Sequence, residues 1–528
     1  MSQTVLIIGG GHNGLVAAFY LARAGLRPIV LERRHEIGGG AITGEISPGF
    51  TCPVLAHDVS SIGCDVVRDM ALERHGAEFL TPPARLFAPD PGGRSISVFD
   101  DTARTRESIR RVSPHDADAY PAFVQSLARA SSVLGSLFAE VPPDVDNPSA
   151  DDLWQLLKAG RRFRALGKRD GFRLLRWAPM PVADLAREWF DSELLGAAIS
   201  ARGISGTRLG PRSAGSSLVL LMSEAHRQRG GPSRVRGGPG ALTRAMAVAV
   251  IAAGAEIRTG TAVHQITVHG ERVTGVTLEG GDVLRGDVVL SAVDPKTTFL
   301  KLLDPLHLTP DFVGKIGNYR CAGTVAKLNL ALSALPGFVG LNGARPEEAP
   351  EEALSGRIHL GPTIDFLERA FDHVKYGEIS SEPWLDITIP SIVDPSLAPS
   401  GAHVMSVYIH FAPYELRHTS WPAARASLRQ AAFSTLKRYA PGIEALVVGE
   451  QLLTPADFEQ EYGFTGGHIF HGELALDQLF TMRPLLGFAN YRTPIEGLYL
   501  CGAGTHPGGF MSGASGRLAA QKVLKDFR

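Results

Sequence analysis

A glycine cluster set between two short apolar runs constrains this chain more than any other feature. Thr4 to Ile8 (TVLII) is unbroken and apolar, the pattern of a parallel strand covered on both faces. It leads directly into Gly9-Gly10-Gly11-His12-Asn13-Gly14, a GxGxxG, and then into Leu15 to Ala24, a stretch that predicts a helix ended by Gly25. Arg27 to Leu31 predicts a second strand with Glu32 at its carboxyl end. In such a βαβ unit Gly9 permits the tight turn, Gly11 lets backbone approach a pyrophosphate, and Gly14 lets the helix pack closely on the strand. Glu32, 18 residues beyond Gly14, is placed to accept hydrogen bonds from a ribose, and its charge repels a 2′-phosphate. FAD or NAD is therefore expected in preference to NADP.

Two later stretches read as parts of the same nucleotide domain. Gly237 to Leu242 opens a helix to about Ala253, and Ala255 to Arg258, Ala262 to Val268, Arg272 to Leu278 and Asp287 to Ser291 alternate like strands. Near the end, Gly497 to Cys501 predicts a buried strand, Gly502-Ala503-Gly504 a turn, and Met511 to Lys525 a helix introduced by His506-Pro507-Gly508-Gly509-Phe510. The small residues Ser512, Gly513, Ala514 and Gly516 let backbone come close to a flat ligand. A helix amino terminus there would stabilise negative charge on a reduced flavin.

Composition narrows the rest. With 44% hydrophobic and 20% charged residues the 528-residue chain is an ordinary globular sequence of two to four domains, and a net charge of −1 gives no global attraction to nucleic acid. Cys52, Cys64, Cys321 and Cys501 are far apart, so neither a redox dithiol nor a zinc knuckle is expected, and the scattered histidines lack metal-binding spacing. No apolar run reaches the roughly 18 residues that span a bilayer, and no signal peptide precedes the first strand, so an intracellular, cytoplasmic or organelle-matrix protein is expected.

Just past Glu32, Gly38-Gly39-Gly40 stands where flavoproteins of the amine oxidase and phytoene desaturase type carry a GG pair beside the FAD pyrophosphate. Gly40 and Ala41 stand where an arginine often follows, so Arg33 and Arg34 are candidates to meet the phosphate charge, each alternatively a solvated surface residue. The chain resembles the phytoene desaturase and carotenoid isomerase group of FAD-dependent oxidoreductases from Thr4 to Leu524. Gly466-Gly467-His468-Ile469-Phe470-His471-Gly472-Glu473-Leu474, with Gln478-Leu479-Phe480 and Arg483-Pro484, most resembles its branch of pyridine nucleotide-disulfide oxidoreductase domain-containing proteins. The resemblance implies an α/β fold: a discontinuous Rossmann-like FAD-binding domain of the glutathione reductase and amine oxidase type (residues 1–75, 232–298 and 480–528) beside an α+β substrate domain (76–231 and 299–479). It also implies that a strand near Val263 lies against the adenine. Bound FAD would take a hydride from an apolar, polyene-like or lipid-like substrate, by desaturation or redox isomerisation. The expected FAD contacts are Gly9, Gly11, Gly14, Glu32, Arg33, Gly38, Gly39, Val263, Gly502, Gly509, Phe510, Met511 and Ser512.

Candidate proton-handling residues are His57 and Asp58 after the second glycine cluster, His468 and His471 in the carboxyl-terminal motif, and His506 beside the expected flavin helix; a structural histidine is the alternative for each. Trp384 to Pro390 and His403 to Phe411 fit a sheet that walls a cavity. Lys158, Arg161, Arg162, Arg164, Lys168, Arg169, Arg173 and Arg176 interleave with Phe163, Leu166, Phe172, Leu174, Leu175 and Trp177, so residues 158–177 suit a peripheral contact with an anionic membrane, or else a solvated face. A flavin amine oxidase, a GDP-dissociation-inhibitor-like binding protein without FAD and a non-catalytic FAD-binding regulator are the rival readings.

Overall fold

Side chains alternate along a strand, so Thr4–Ile8 has two faces to bury, and each is covered by a different layer. Val5 and Ile7 join one apolar cluster with Leu15, Val16, Leu242, Met246, Leu518 and Val523 of three helices; Leu6 and Ile8 join another with Ile266, Val273 and Val276 of a small meander. The strand is the centre of a five-stranded, all-parallel sheet ordered Leu498–Leu500, Val288–Ser291, Thr4–Ile8, Arg27–Leu31, Glu256–Arg258. Helices His12–Arg23, Gly238–Ala252 and Ala514–Asp526 cover one face, and the antiparallel strands Val263–His269, Arg272–Leu278 and Val283–Arg285 the other. This is a Rossmann-like layer assembled from three separated stretches of chain.

A computed structural model describes residues 3–145, 148–231, 233–341 and 350–527. Residues 1–2, 146–147, 232, 342–349 and 528, within the segments expected above, lie outside the description. Among the described residues no helix is long and apolar enough to cross a membrane.

The second sheet has seven strands in the order Val447–Leu453, Val325–Leu332, His403–His410, Leu385–Thr388, Arg357–Leu360, Ala84–Pro89, Ser95–Phe99. Its period of two separates apolar from polar residues. Leu328, Leu330, Met405, Val407, Ile409, Leu385 and Ile387 pack with Leu428, Phe433 and Leu436 of helix Trp421–Tyr439. Lys327, Asn329, Ser406, Tyr408 and Asp386 alternate with them and so face the other way. A helical layer built on Pro114–Leu137, Glu193–Arg202 and Ser216–Arg229 completes the second unit around an apolar cluster that includes Phe123, Leu127, Leu195 and Leu221.

The expected elements recur with shifted ends. The first helix begins at His12, inside the glycine motif, and the stretch Lys158–Trp177 lies on two helices, Ala150–Ala165 and Gly167–Trp177, separated at Gly167 by a left-handed φ of 76°. The last helix begins at Ala514 and not at Met511. Gly508, Gly509 and Phe510 have φ of 82°, 63° and 48°, and Gly513 has 70°, so four left-handed residues keep the segment from turning helical any earlier.

Candidate functional site

The carboxyl end of the parallel sheet opens on a cavity of about 980 Å³ that also reaches the polar face of the second sheet and the helical layer. Its size is at the upper end of ordinary small-molecule sites. Gly9, with φ of 99°, turns the chain out of the first strand while its N–H donates to the Leu31 carbonyl at 2.8 Å. The following helix has Gly11 at its amino-terminal cap and no side chain capping it, so first-turn N–H groups stay free for an anion. A Cβ on Gly14 would lie 2.2 Å from the Gly9 carbonyl oxygen, whereas one on Gly11 would meet nothing nearer than Gly39 Cα at 3.9 Å. Gly14 is therefore required by packing, and Gly11 by the space in front of it.

Glu32 is buried on the cavity wall. Its Oε2 accepts from the Gly10 N–H at 2.7 Å and its Oε1 from the Arg34 N–H at 3.0 Å, which leaves a lone pair on each oxygen for a ribose hydroxyl. The second glycine cluster is pinned to the first, since the Gly38 N–H donates to the Gly10 carbonyl at 2.9 Å. Val263 lies on the wall beside Thr261, Ala262 and Glu279. Of the two arginines considered for phosphate, Arg33 is exposed and donates to the Glu461 carbonyl at 3.0 Å. Arg34 sits over the Tyr462 ring at 4.8 Å and holds a buried, unpartnered Nη1.

Other polar atoms on this wall are also buried and unpartnered among the described residues: His12 Nε2, Asn13 Oδ1 and His471 Nδ1. Buried polar atoms are ordinarily satisfied, so the wall is shaped for a ligand with donors and acceptors along its length. Free helix N–H groups, a guanidinium, a ribose-accepting carboxylate and an open glycine cleft fit a dinucleotide.

Gly9, Gly11, Gly14, Glu32, Arg33, Gly39, Val263, Phe510 and Met511 all line the cavity. Gly38, Gly502, Gly509 and Ser512 do not, and each shapes its surroundings. A Cβ on Gly38 would lie 2.7 Å from the Ala41 carbonyl oxygen, one on Gly502 2.5 Å from that of Ala292, and one on Gly509 3.2 Å from Leu474. Ser512 offers its carbonyl to the Gly63 N–H at 3.1 Å. The expected contacts thus divide into residues that face the ligand space and residues that let backbones touch behind it.

The proton-handling candidates separate in the same way. His57, Asp58 and His471 line the cavity; His468 and His506 do not. His468 Nδ1 accepts from the Phe470 N–H at 3.1 Å, and burial holds the ring down to about 3. His506 Nε2 donates to the Leu137 carbonyl at 3.2 Å, packed near Phe138 and Phe480, and burial lowers it to about 4. Both are neutral packing groups off the cavity wall, where the turn at Gly508 to Phe510 brings Phe510 instead. His471, with φ of 55°, is held below the usual histidine range chiefly by burial.

His57 belongs to a buried charged cluster on the polar face of the seven-stranded sheet. Its Nε2–H donates to the Asp386 carbonyl at 3.0 Å, which leaves Nδ1 to accept from Lys327 Nζ at 2.9 Å. Burial first, then Lys327, Arg357 and Arg234, push it well below its ordinary value. Asp58 would be raised by burial, but Arg357 Nη2 at 3.0 Å and the charge of Arg234 hold it well below the carboxylate range. Lys327 is fully buried, 4.2 Å from the Tyr408 ring centre, and burial lowers it to about 7. Tyr408 lines the cavity and donates to the Leu55 carbonyl at 2.6 Å. Lys327, Tyr408, Asp386 and Arg357 were not singled out from sequence, although a lysine and an asparagine in the apolar run Val325–Leu332 (VAKLNLAL) carried the signal.

A parallel sheet with an uncapped helix at a glycine turn, a buried ribose acid and a wall shared with a second sheet define a two-domain nucleotide-binding flavoprotein fold. The chain matches the family "Flavin containing amine oxidoreductase" over residues 14–524, and it belongs to that family. It is 36% identical to the rat (Rattus norvegicus) protein "Pyridine nucleotide-disulfide oxidoreductase domain-containing protein 2", over 99% of this chain and 93% of the relative. It is 27% identical to a lycopene-forming phytoene desaturase of Pseudescherichia vulneris over the full length of both. A putrescine oxidase structure with bound putrescine shares the fold at a TM-score of 0.59, with 14% identity, over 100% of this chain and 99% of that one. The protein is thus a flavin-containing oxidoreductase by family.

The buried lysine has a consequence for stability. Unfolded, Lys327 titrates near 10.4; folded, it titrates at about 7. Between these values the unfolded chain binds more protons, so this residue makes stability rise with pH. Relative to Lys327→Met, the wild-type protein is expected to gain up to about 1.4 kcal/mol per pH unit as pH rises from about 7 to 9. Urea unfolding of both proteins across that range measures the gain, and a difference that stays constant with pH contradicts it.

Proposed function

We propose that the protein is an FAD-dependent oxidoreductase that acts on a C–H bond of an apolar, polyene-like or lipid-like substrate, by desaturation or redox isomerisation. The observation that carries this reading is one continuous cavity with two kinds of wall. Glycine backbone, Glu32 and Arg34 line one part; Phe123, Val124, Leu127, Leu195, Ala198 and Ile199 line another. When bound, the flavin supplies an acceptor for the electron pair of the broken C–H bond. Glu32 would hold the ribose, the uncapped helix amino terminus and Arg34 the pyrophosphate, and the apolar wall would exclude water from the reacting carbon. Burial keeps His57 and His471 neutral, and His471 Nδ1, without a partner among the described residues, would take the proton that leaves in desaturation. In an isomerisation the hydride returns and no proton need leave.

The phytoene desaturase relative supports an apolar substrate; the putrescine oxidase fold supports the rival, oxidation of an amine. Anaerobic addition of carotenoid, terpenoid or lipid extracts to the purified protein is expected to bleach the flavin absorbance, and simple amines such as putrescine are expected to leave it unchanged. Bleaching by amines alone would move the assignment to an amine oxidase, and an unreactive bound flavin would favour a regulator.

We further propose that the helical hairpin Ala150–Trp177 rests on an anionic bilayer. Helix Ala150–Ala165 has no buried residue, and Leu153, Trp154, Leu157, Phe172 and Leu175 are each more than half exposed. Among the described residues Lys158, Arg161, Arg162, Arg164, Lys168 and Arg169 form no salt bridge, and each is worth about 1 kcal/mol near an anionic leaflet. The hairpin packs on helix Pro114–Leu137, whose Tyr120, Phe123 and Leu127 line the cavity. Flotation with phosphatidylserine-containing vesicles is expected to carry the protein, and vesicles of phosphatidylcholine alone or a Trp154→Ala/Leu157→Ala variant to carry much less. Equal absence from all vesicles contradicts the contact.

A further inference from the structure

At one end of the apolar wall the cavity meets a cluster of charged residues remote in sequence from the nucleotide motifs. Arg202, at the end of helix Glu193–Arg202, donates through Nη2 to Glu224 Oε2 at 2.9 Å. Arg227, on helix Ser216–Arg229, donates through Nε to the same oxygen at 2.9 Å and through Nη2 to Oε1. Glu224 is 3% exposed, while the two arginines are 36% and 40% exposed, and all three line the cavity. Arg85 pairs with Asp100 on the same wall. Tyr120 also lines it, within the field of Arg202, Arg85, Glu224 and Arg227, and its hydroxyl has no hydrogen-bond partner among the described residues.

Charge and geometry can be weighed here. A buried carboxylate needs compensation, and one bidentate guanidinium supplies it; Arg227 alone makes that bidentate pair. Arg202 is then surplus. It adds one contact to a carboxylate already satisfied, and it lines the cavity. Among these residues Arg85, Arg202 and Arg227 outnumber Asp100 and Glu224, so the group carries one excess positive charge, and it shares the cavity with Phe123, Val124, Leu127, Leu195 and Ile199. If the cluster only tied two helices together, one arginine would serve. A fixed guanidinium, a free phenol hydroxyl and an apolar slot are the elements that recognise a negative head on an aliphatic body. The single excess charge matches a carboxylate, which brings one negative charge, better than a phosphate monoester, which brings nearly two.

We propose that this end of the cavity binds the carboxylate of an amphipathic substrate, held by Arg202 and Tyr120 with Arg85 and Arg227 close by, while its chain lies along the apolar wall. The assignment rests on the apolar-substrate reading above and narrows it to apolar acids. Glu224 acts as a positioning residue, fixing both guanidinium groups from behind.

Calorimetric titration of the flavin-loaded protein with laurate, lauryl alcohol, laurylamine and lauryl phosphate, all below their micelle concentrations, tests it. Laurate is expected to bind about tenfold or more tighter than the alcohol, since a hydrogen bond to a charged group is at stake. Arg202→Gln is expected to erase most of that preference with little change in alcohol binding or flavin content. Tyr120→Phe, which keeps the ring, is expected to reduce it by a smaller factor and guards against a misfolded arginine variant. Equal binding of laurate and alcohol, or an undiminished preference in both variants, overturns the head-group assignment while leaving the apolar substrate standing. Tighter binding of lauryl phosphate or laurylamine also overturns it. If no aliphatic compound binds at all, the apolar-substrate reading fails together with this one.

Discussion

Backbone-to-backbone approach at a few glycines is the constraint on which the rest of the molecule depends. Gly14 lies where any Cβ would strike the Gly9 carbonyl, and Gly516 where one would lie 2.1 Å from the carbonyl oxygen of Asn13. The first of these contacts closes the opening turn on its helix, and the second seats the carboxyl-terminal helix on that same helix. Because of them, a strand near residue 500 and a strand near residue 5 belong to one sheet although almost the whole chain runs between them. The cavity follows directly: it forms where these stretches and the second sheet meet, lined by Gly11 and Glu32 from the start of the chain and Met511 from its end.

The second sheet contributes chemistry through alternation alone. One face is apolar and carries a helix; the other presents Lys327, Asn329, Asp386, Ser406 and Tyr408 toward His57 and the cavity. Burying Lys327 and Arg357 among Asp58 and Asp386 is costly unless each is paired, and the hydrogen bonds to His57, Asp58 and Asp386 offset that cost. His57 is thereby locked as a neutral ring whose tautomer is set by the Asp386 carbonyl. The charged groups around Glu224 are arranged differently, with partly exposed guanidinium groups around one buried acid, and they bear on recognition.

What could be read from the sequence follows the range of the interactions. The nucleotide half was legible because its signals are local: an apolar run, a glycine turn, an acid at a set distance, all of which recur in the folded site. The start of the last helix was misplaced because Gly513 adopts a left-handed φ of 70° and becomes its cap, so the chain from Met511 to Ser512 stays outside the helix. The Lys327 cluster joins residues hundreds of positions apart, so only the oddity of a lysine within VAKLNLAL hinted at it. The pairing of Arg202 and Arg227 on Glu224 depends on how two helices meet, which no local pattern encodes.

The central claim is that the cleft bounded by the glycine turn, Glu32 and Met511 holds FAD. The most direct measurement is to denature the purified protein, identify the released nucleotide by chromatography and mass, and repeat this with Glu32→Ala. The account predicts FAD close to one per chain from the wild-type protein and a large loss of FAD from the variant. A colourless wild-type protein that takes up no FAD when it is supplied in excess, or a variant that holds FAD as tightly as the wild type, would contradict it.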